Sequence, residues 1–254
     1  AVDIILLNEG VYAMRNLLAS DLKEDLSKIK GIGYKVDGKS ILNAPEVVVP
    51  NEKMDLDLPG YAWDLLPMKE KPLDLYRAHF WHTEYKQANR TPFAAIYTSL
   101  GCRFKCDFCM INIVNRVDND LSVASSHSPN MRFWTPEFMI KEFETLANLG
   151  VEHIRISDEM FFLNQRYFEP LLEGLVERGM NLKMWSYSRI DTVREKYLEL
   201  FKNAGINWLA VGIEAGSREV RREVSKGTFQ LDDISSVVNL IQKHGISVAA
   251  NYIF

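Results

Sequence analysis

The sequence predicts an α/β chain built from parallel β-α units, and three observations predict it. From about residue 90 onward a helix ends in glycine and a buried strand follows at once, four times: LANLG-VEHIRIS, LVERG-MNLKMWS, FKNAG-INWLAVGI and IQKHG-ISVAANYIF. The glycines fall at 150, 179, 205 and 245, just past each helix, where a left-handed backbone disfavours any side chain. Five apolar strands are expected, at Phe93–Thr98, His153–Ser157, Leu182–Tyr187, Trp208–Ile213 and Ser247–Phe254. Strands separated by helices pair in parallel. Right-handed crossovers leave two arrangements, an open doubly wound sheet or a curved barrel-like sheet, and periodicity does not choose between them. In both, the loops after the strands gather the chemistry at one end of the sheet.

Taken in order, residues 1–50 read as the tail of an α/β domain. Val2–Leu7 is a strand, Tyr12–Leu18 and Asp21–Ile29 are helical, and GIGYKVDGKSIL is a hairpin turning at Asp37-Gly38. Five prolines between Pro45 and Pro72 mark a surface linker, within which LPGYAWDLLP docks Tyr61, Trp63 and Leu65 on a neighbour. Thr135-Pro136-Glu137 supplies an N-cap, a proline at the first helical position and an acid in the first turn. The helix it opens carries an apolar stripe of Phe138, Met139, Phe143, Leu146 and Leu149. The resulting division is 1–50, a linker over 51–89, and a core over 90–254. The first and last residues both lie in strand-like runs, so a longer protein, continuing in both directions, is expected.

Composition is that of a globular protein, 47% apolar and 25% charged. Thirty Lys and Arg against 34 Asp and Glu give a net charge of -4, which lends no support to a broad nucleic-acid face. No run approaches eighteen apolar residues, so no membrane span is read.

The three cysteines all fall within eight residues, in SLGCRFKCDFCM, as Cys102-x3-Cys106-x2-Cys109. An odd number so closely spaced is poor material for disulfides and good material for a metal site in a reducing compartment. Structural zinc would need a fourth ligand, a His or an acid, and neither His82 nor His127 can be assigned that role from sequence. A 4Fe–4S cluster on three cysteines leaves one iron open to an outside ligand.

Cys-x3-Cys-x-aromatic-Cys after an apolar strand resembles the motif of the radical S-adenosylmethionine (SAM) superfamily, with Phe108 in the aromatic position. The similarity covers roughly residues 90–254. It implies a partial TIM-like (β/α)6 barrel with a 4Fe–4S cluster on Cys102, Cys106 and Cys109, whose open iron chelates SAM. One electron then cleaves the sulfonium bond to give methionine and a 5'-deoxyadenosyl radical. Ser157-Asp158-Glu159 stands where the family has a Gly-Gly-Glu-like segment facing the methionine amino group, and Asp158 is preferred over Glu159 as the contact. Val211-Gly212-Ile213-Glu214-Ala215-Gly216-Ser217 resembles the family's Gly-Ile-Glu-Ser-Gly-Ser segment, which implies a SAM contact for Glu214. Ser186 is expected on the ribose or methionine part and Arg189 on the carboxylate, against a structural pair of Arg189 with Asp191. Phe108 is expected beside the adenine. Tyr97 and Trp185 would shape the cavity, although aromatic residues in a parallel sheet are more often core. Lys226-Gly227-Thr228 also matches the family's pattern, and residues 110–134 suggest a substrate-facing loop.

VDIILLNEGVYAMRNLL, IKGIGYKVDGK and LPGYAWDLLP resemble the end of a Rossmann-like cobalamin-binding domain and its linker, with Glu9-Gly10 after a strand at its edge. This implies the cobalamin-associated branch, with cobalamin in the full-length protein, although no cobalt ligand is assigned. The activity implied is methyl transfer to an unactivated carbon or phosphorus, with cyclisation or rearrangement as the enzymatic alternative and a noncatalytic iron–sulfur scaffold as the other. Methylthio transfer to tRNA is disfavoured, because no further cysteine-bearing domain or RNA-binding tail is visible. A small-molecule substrate, a one-electron reductant such as flavodoxin or ferredoxin, and a cytoplasmic setting complete the expectation.

Overall fold

The computed structural model describes residues 2–20, 25–67, 70, 77–78, 91–104, 106–111, 131–224 and 231–253. Two compact units divide the chain: Ala1–Pro59 with Gly101–Arg132, and Gly60–Leu100 with Phe133–Phe254.

In the first unit the local sequence favours a hairpin. Asp37 and Gly38 both take positive φ, 49° and 76°, the pairing that a two-residue turn needs to match strand twist. This turn joins β2 (Ile32–Val36) to β3 (Lys39–Leu42), and β1 (Ile4–Leu6) pairs with the other edge of β2, all antiparallel. Helix α1 (Val11–Ala19) covers this sheet through Ala13 and Leu17, which pack with Ile29, Ile32 and Tyr34. A four-residue helix, α2 (Met54–Asp57), follows. The expected Rossmann-like remnant does not take that form among the described residues: a tight hairpin forces antiparallel pairing, whereas that fold needs parallel strands and crossover helices. The helix expected over 21–29 is also corrected. Its described part is a 3-10 turn, Leu26–Lys28, opened by Asp25 accepting from the Ser27 amide, while Asn43 donates to the Leu26 and Ile29 carbonyls. Those side-chain bonds take the place of a continuing helical ladder.

The same unit holds a buried charge pair. Arg132 donates to Glu9 at 2.7 Å and to the Val49 carbonyl at 2.6 Å, and Glu9 also accepts from the Val49 amide at 2.7 Å.

The second unit is built on the predicted repeat. In chain order come β4 (Phe93–Ile96), the two-residue strands β5 (Ser99–Leu100) and β6 (Arg132–Phe133), α3 (Pro136–Asn148), β7 (His153–Ile156), α4 (Gln165–Glu177), β8 (Lys183–Arg189), α5 (Leu198–Asn203), β9 (Ile206–Glu214), α6 (Arg218–Glu223), α7 (Leu231–Lys243) and β10 (Ser247–Tyr252). The main sheet runs β4-β7-β8-β9-β10, every pairing parallel. Its strands lie in chain order with no reversal. A doubly wound sheet needs a reversal, so of the two arrangements the order fits the curved, singly wound one, in which right-handed crossovers carry every helix to one face.

Register sorts the side chains between the two faces. Ile96, Ile156, Ser186 and Leu209 form one row and are fully buried. Ala95, Arg155, Trp185 and Trp208 form a neighbouring row on the opposite face. Thr135 caps α3 by accepting from the Phe138 amide, and Met139, Ile140, Phe143 and Leu146 are its buried residues.

Tyr61 and Trp63 dock as expected. They stack at 4.9 Å, the Trp63 indole donates to Glu142 of α3, and the Tyr61 hydroxyl accepts from the Tyr97 amide. Leu65 does not dock and is 78% exposed. Trp63–Leu65 is a 3-10 turn, and at three residues per turn the two ends cannot share a face. No helix among the described residues is long and apolar enough to cross a membrane.

All four predicted capping glycines have positive φ, and two of them make a test. At Gly205, φ is 96° and a Cβ would collide with the Leu182 carbonyl oxygen; at Gly150, φ is 81° and the space around a Cβ is open. Gly150→Ala is expected to cost about 1 kcal/mol from backbone strain alone, and Gly205→Ala about 2 kcal/mol more, read from urea unfolding midpoints.

Candidate functional site

The cysteine loop opens at Gly101, where φ is 91°. Cys102 and Cys106 are half-buried, Cys109 is exposed, and all three are free of disulfides. The Phe104 amide points at the Cys102 sulfur at 3.5 Å, and the Cys109 amide donates to the Cys106 carbonyl at 3.0 Å. Among the described residues no three His, Cys, Asp or Glu side chains are gathered closely enough to hold a metal ion. Cysteine ligands give up their protons as a metal binds, and binding draws them together, so the arrangement of such a loop is coupled to loading. The donor set fits an iron–sulfur cluster: three soft sulfurs on one short segment, one of them receiving an amide. Phe108 is 43% exposed. His82, His127, residues 226–228 and most of the 110–134 loop lie outside the described residues.

Asp158 lies at the carboxyl end of β7 and has no exposure. Its carboxylate accepts from the Thr98 amide at 2.6 Å, the Thr98 hydroxyl at 2.7 Å and the Ser99 hydroxyl at 2.5 Å. Burial pushes its carboxyl up to about 6, against the pull of these hydrogen bonds. The Thr98 carbonyl receives the Tyr167 hydroxyl at 2.6 Å. Asp158 thus fixes the segment that leaves β4, and its oxygens are committed to that segment.

Ser186 is also fully buried, in the row of Ile156 and Leu209, and its hydroxyl has no hydrogen-bond partner among the described residues. Arg189 holds Asp191 with two bonds, at 2.9 and 2.8 Å, the structural pair weighed from sequence.

Glu214 ends β9 with φ at 67°, a left-handed conformation uncommon for a residue with a side chain. The Ala215 amide donates to the Ile213 carbonyl at 2.9 Å, closing a γ-turn centred on Glu214. Positive-φ γ-turns are rare and strained. Arg221, fully buried, binds the next two carbonyls, Ala215 at 2.5 Å and Gly216 at 2.8 Å. Strain held by such surrounding contacts collects at functional positions.

Sequence reasoning missed Arg155, Tyr187 and Arg221. On the face opposite the Ile156 row, Arg155 lies over the Trp185 ring at 5.6 Å and donates to Ser157 at 2.9 Å, and Tyr187 packs on Trp185 at 5.1 Å. Tyr97, 38% exposed, has its phenol pushed up by burial and then by Glu159, with Arg155 opposing. The signal was present in HIRIS, where Arg155 alternates with the two buried isoleucines.

A singly wound parallel sheet with three cysteines, none in a disulfide, after its first strand defines a class of domain, and comparison with known proteins agrees. The profile of the radical SAM superfamily matches residues 96–254. The chain belongs to that superfamily. An uncharacterized methyltransferase of Pyrococcus horikoshii is 26% identical over 99% of this chain and 49% of its own length. The anaerobic magnesium-protoporphyrin IX monomethyl ester cyclase of Synechocystis sp. is 22% identical over 99% of this chain and 45% of its own. The chain therefore spans about half the length of these relatives. Among solved structures, the cobalamin-dependent S-adenosylmethionine radical enzyme OxsB, with aqua-cobalamin and S-adenosylmethionine bound, matches at a TM-score of 0.70 and 20% identity. That match covers 98% of this chain and 33% of OxsB, and shows a shared fold.

Two expectations follow from these strand ends. Folding raises Asp158 from 3.8 to about 6, so the native state holds that proton more tightly than the unfolded chain. The proton's stabilisation is complete below about pH 4 and lost as pH rises through about 6. Wild type should lose about 3 kcal/mol relative to Asp158→Asn across that window, followed by urea unfolding at stepped pH. At Glu214, both Glu214→Gly and Glu214→Ala remove the carboxylate, but only glycine relaxes the backbone. Glu214→Gly should be the more stable by about 1 kcal/mol.

Proposed function

We propose that this chain is the SAM-cleaving core of a cobalamin-using radical SAM enzyme that transfers a methyl group to an unactivated carbon or phosphorus centre. One observation carries the reading: in a member of this superfamily, three cysteines outside any disulfide follow the first strand of a sequentially ordered parallel sheet. The methyltransferase name of the Pyrococcus relative and the cobalamin bound in OxsB support the finer part. The cyclase name of the Synechocystis relative supports cobalamin-linked cyclisation as a second reading. The division into 1–50, 51–89 and 90–254, the (β/α)6 barrel and the cytoplasmic setting belong to the same proposal.

Cys102, Cys106 and Cys109 hold the 4Fe–4S cluster as thiolates. The chemistry such a cluster supplies is one electron, from a flavodoxin- or ferredoxin-like donor, to cleave SAM into methionine and a 5'-deoxyadenosyl radical. Bound cobalamin would supply the methyl group, having taken it from a second molecule of SAM. The chain's own residues bind and orient. The Glu214 carboxylate accepts from a ribose hydroxyl or the amino group of SAM, its angle set by the γ-turn that Arg221 holds. Asp158 positions the segment that leads into the cysteine loop. Ser186 from its buried row, and Arg189 through Asp191, set the end of β8. Tyr97 and Trp185 offer aromatic surface at the sheet that helps exclude water, and a place for Phe108 beside the adenine belongs to the same proposal.

The full-length protein, reconstituted anaerobically, should contain about four irons and four sulfides per chain and release 5'-deoxyadenosine from SAM on reduction. Cys106→Ala should lose both; 5'-deoxyadenosine formed by that variant would end the cysteine assignment. Glu214→Gln should keep its iron and bind SAM about tenfold more weakly. With cobalamin and methyl-labelled SAM, label in a product supports methyl transfer, and an unlabelled cyclised product supports the second reading. A full cluster that binds SAM without cleaving it would make the protein a scaffold.

A further inference from the structure

We propose that Arg155 anchors an anionic group, a carboxylate or a phosphate, on the aromatic face of the parallel sheet. The inference rests on the proposed function only for the identity of the reaction; the binding itself is argued from the side chains.

Arg155 lies on β7, the second strand of the sheet, with β4 and β8 on either side. Strands so placed in parallel sheets carry apolar side chains on both faces. A half-buried guanidinium there is costly unless something meets its charge. Its Nε donates to Ser157 at 2.9 Å and its Cζ lies over the Trp185 ring, 5.6 Å from the centroid. Among the described residues no carboxylate pairs with it, and its two Nη groups have no protein acceptor. The buried arginines differ in this respect: Arg132 is filled by Glu9, Arg189 by Asp191 and Arg221 by two carbonyls.

The guanidinium is therefore fixed at one edge and one face, with its paired Nη groups left over. That geometry suits two-point binding of a carboxylate or phosphate, which a lysine cannot reproduce. Tyr187, whose ring packs on the same Trp185 at 5.1 Å, carries a hydroxyl donor on this face. The anion could come from two sources sharing this chemistry, the amino-acid carboxylate of SAM or an acidic group on the molecule acted upon.

The test compares full-length wild type with Arg155→Met and Arg155→Lys, without a cluster, by calorimetric titration. The probes are S-adenosylhomocysteine, 5'-methylthioadenosine, benzoate and inorganic phosphate. A loss of about tenfold or more for S-adenosylhomocysteine in Arg155→Met, with 5'-methylthioadenosine unchanged, supports the site and assigns it to the SAM carboxylate. Unchanged S-adenosylhomocysteine with a similar loss for benzoate or phosphate supports the site and assigns it to an acidic substrate. Arg155→Lys keeps the charge and the stem, so it serves if Arg155→Met does not fold, and it should show the same loss in weaker form. All four probes binding the variants as they bind wild type would overturn the proposal. Cluster-free titration does not depend on SAM cleavage, so failure of the radical chemistry and failure of this site are read separately.

Discussion

A carboxylate with no access to water holds the first two strands of the main sheet together at their exits. Asp158 takes three donors from Thr98 and Ser99. Those donors can reach it only because the chain leaves the β4 ladder after Ile96, where the Tyr97 amide turns to Tyr61. An ionised group this deep costs several kcal/mol unless hydrogen-bonded, and satisfied it defines one geometry for the backbone around it. Three residues further along the chain comes Cys102. The backbone at the exit of β4 is thus fixed, up to Ser99, by a knot of polar groups within the chain itself.

The β-α repeat was legible because its signals are local. Glycine past a helix, a threonine cap before Pro136 and apolar strands each act over a few residues, and each appears where the pattern put it, although the fourth strand after a glycine, β10, is half-buried and then exposed instead of buried. The direction of side chains was less legible. The order of residues in the chain does not say which face Ser186 occupies; the register with Ile156 and Leu209 places it in the buried row. A parallel strand covered on both sides lacks the polar–apolar alternation that would have revealed this. The N-terminal part misled for a different reason: its strands and helix are correct one by one, but whether they pair parallel or antiparallel is a long-range property. The Asp37-Gly38 turn was the one local clue, and it favoured antiparallel pairing.

At the carboxyl end of β9 the structure departs from what the chain prefers locally. A glutamate at positive φ is held by a γ-turn and by a buried arginine seven residues later. Such a cost persists only where the carboxylate's orientation matters more than backbone comfort. Three arginines differ in what they hold: Arg189 and Arg221 hold their own chain, whereas among the described residues Arg155 holds a serine and a ring.

The Glu9–Arg132 pair has a consequence for how the molecule can be cut. Its two members are 123 positions apart, and the guanidinium is 5% exposed. Deleting the opening stretch would strand a cation in a dry interior, at a penalty of about 3–5 kcal/mol. That is a large part of what keeps a modest domain folded. Glu9 and Arg132 therefore stand or fall together, and an engineer trimming the opening residues would have to keep Glu9 or replace Arg132 as well.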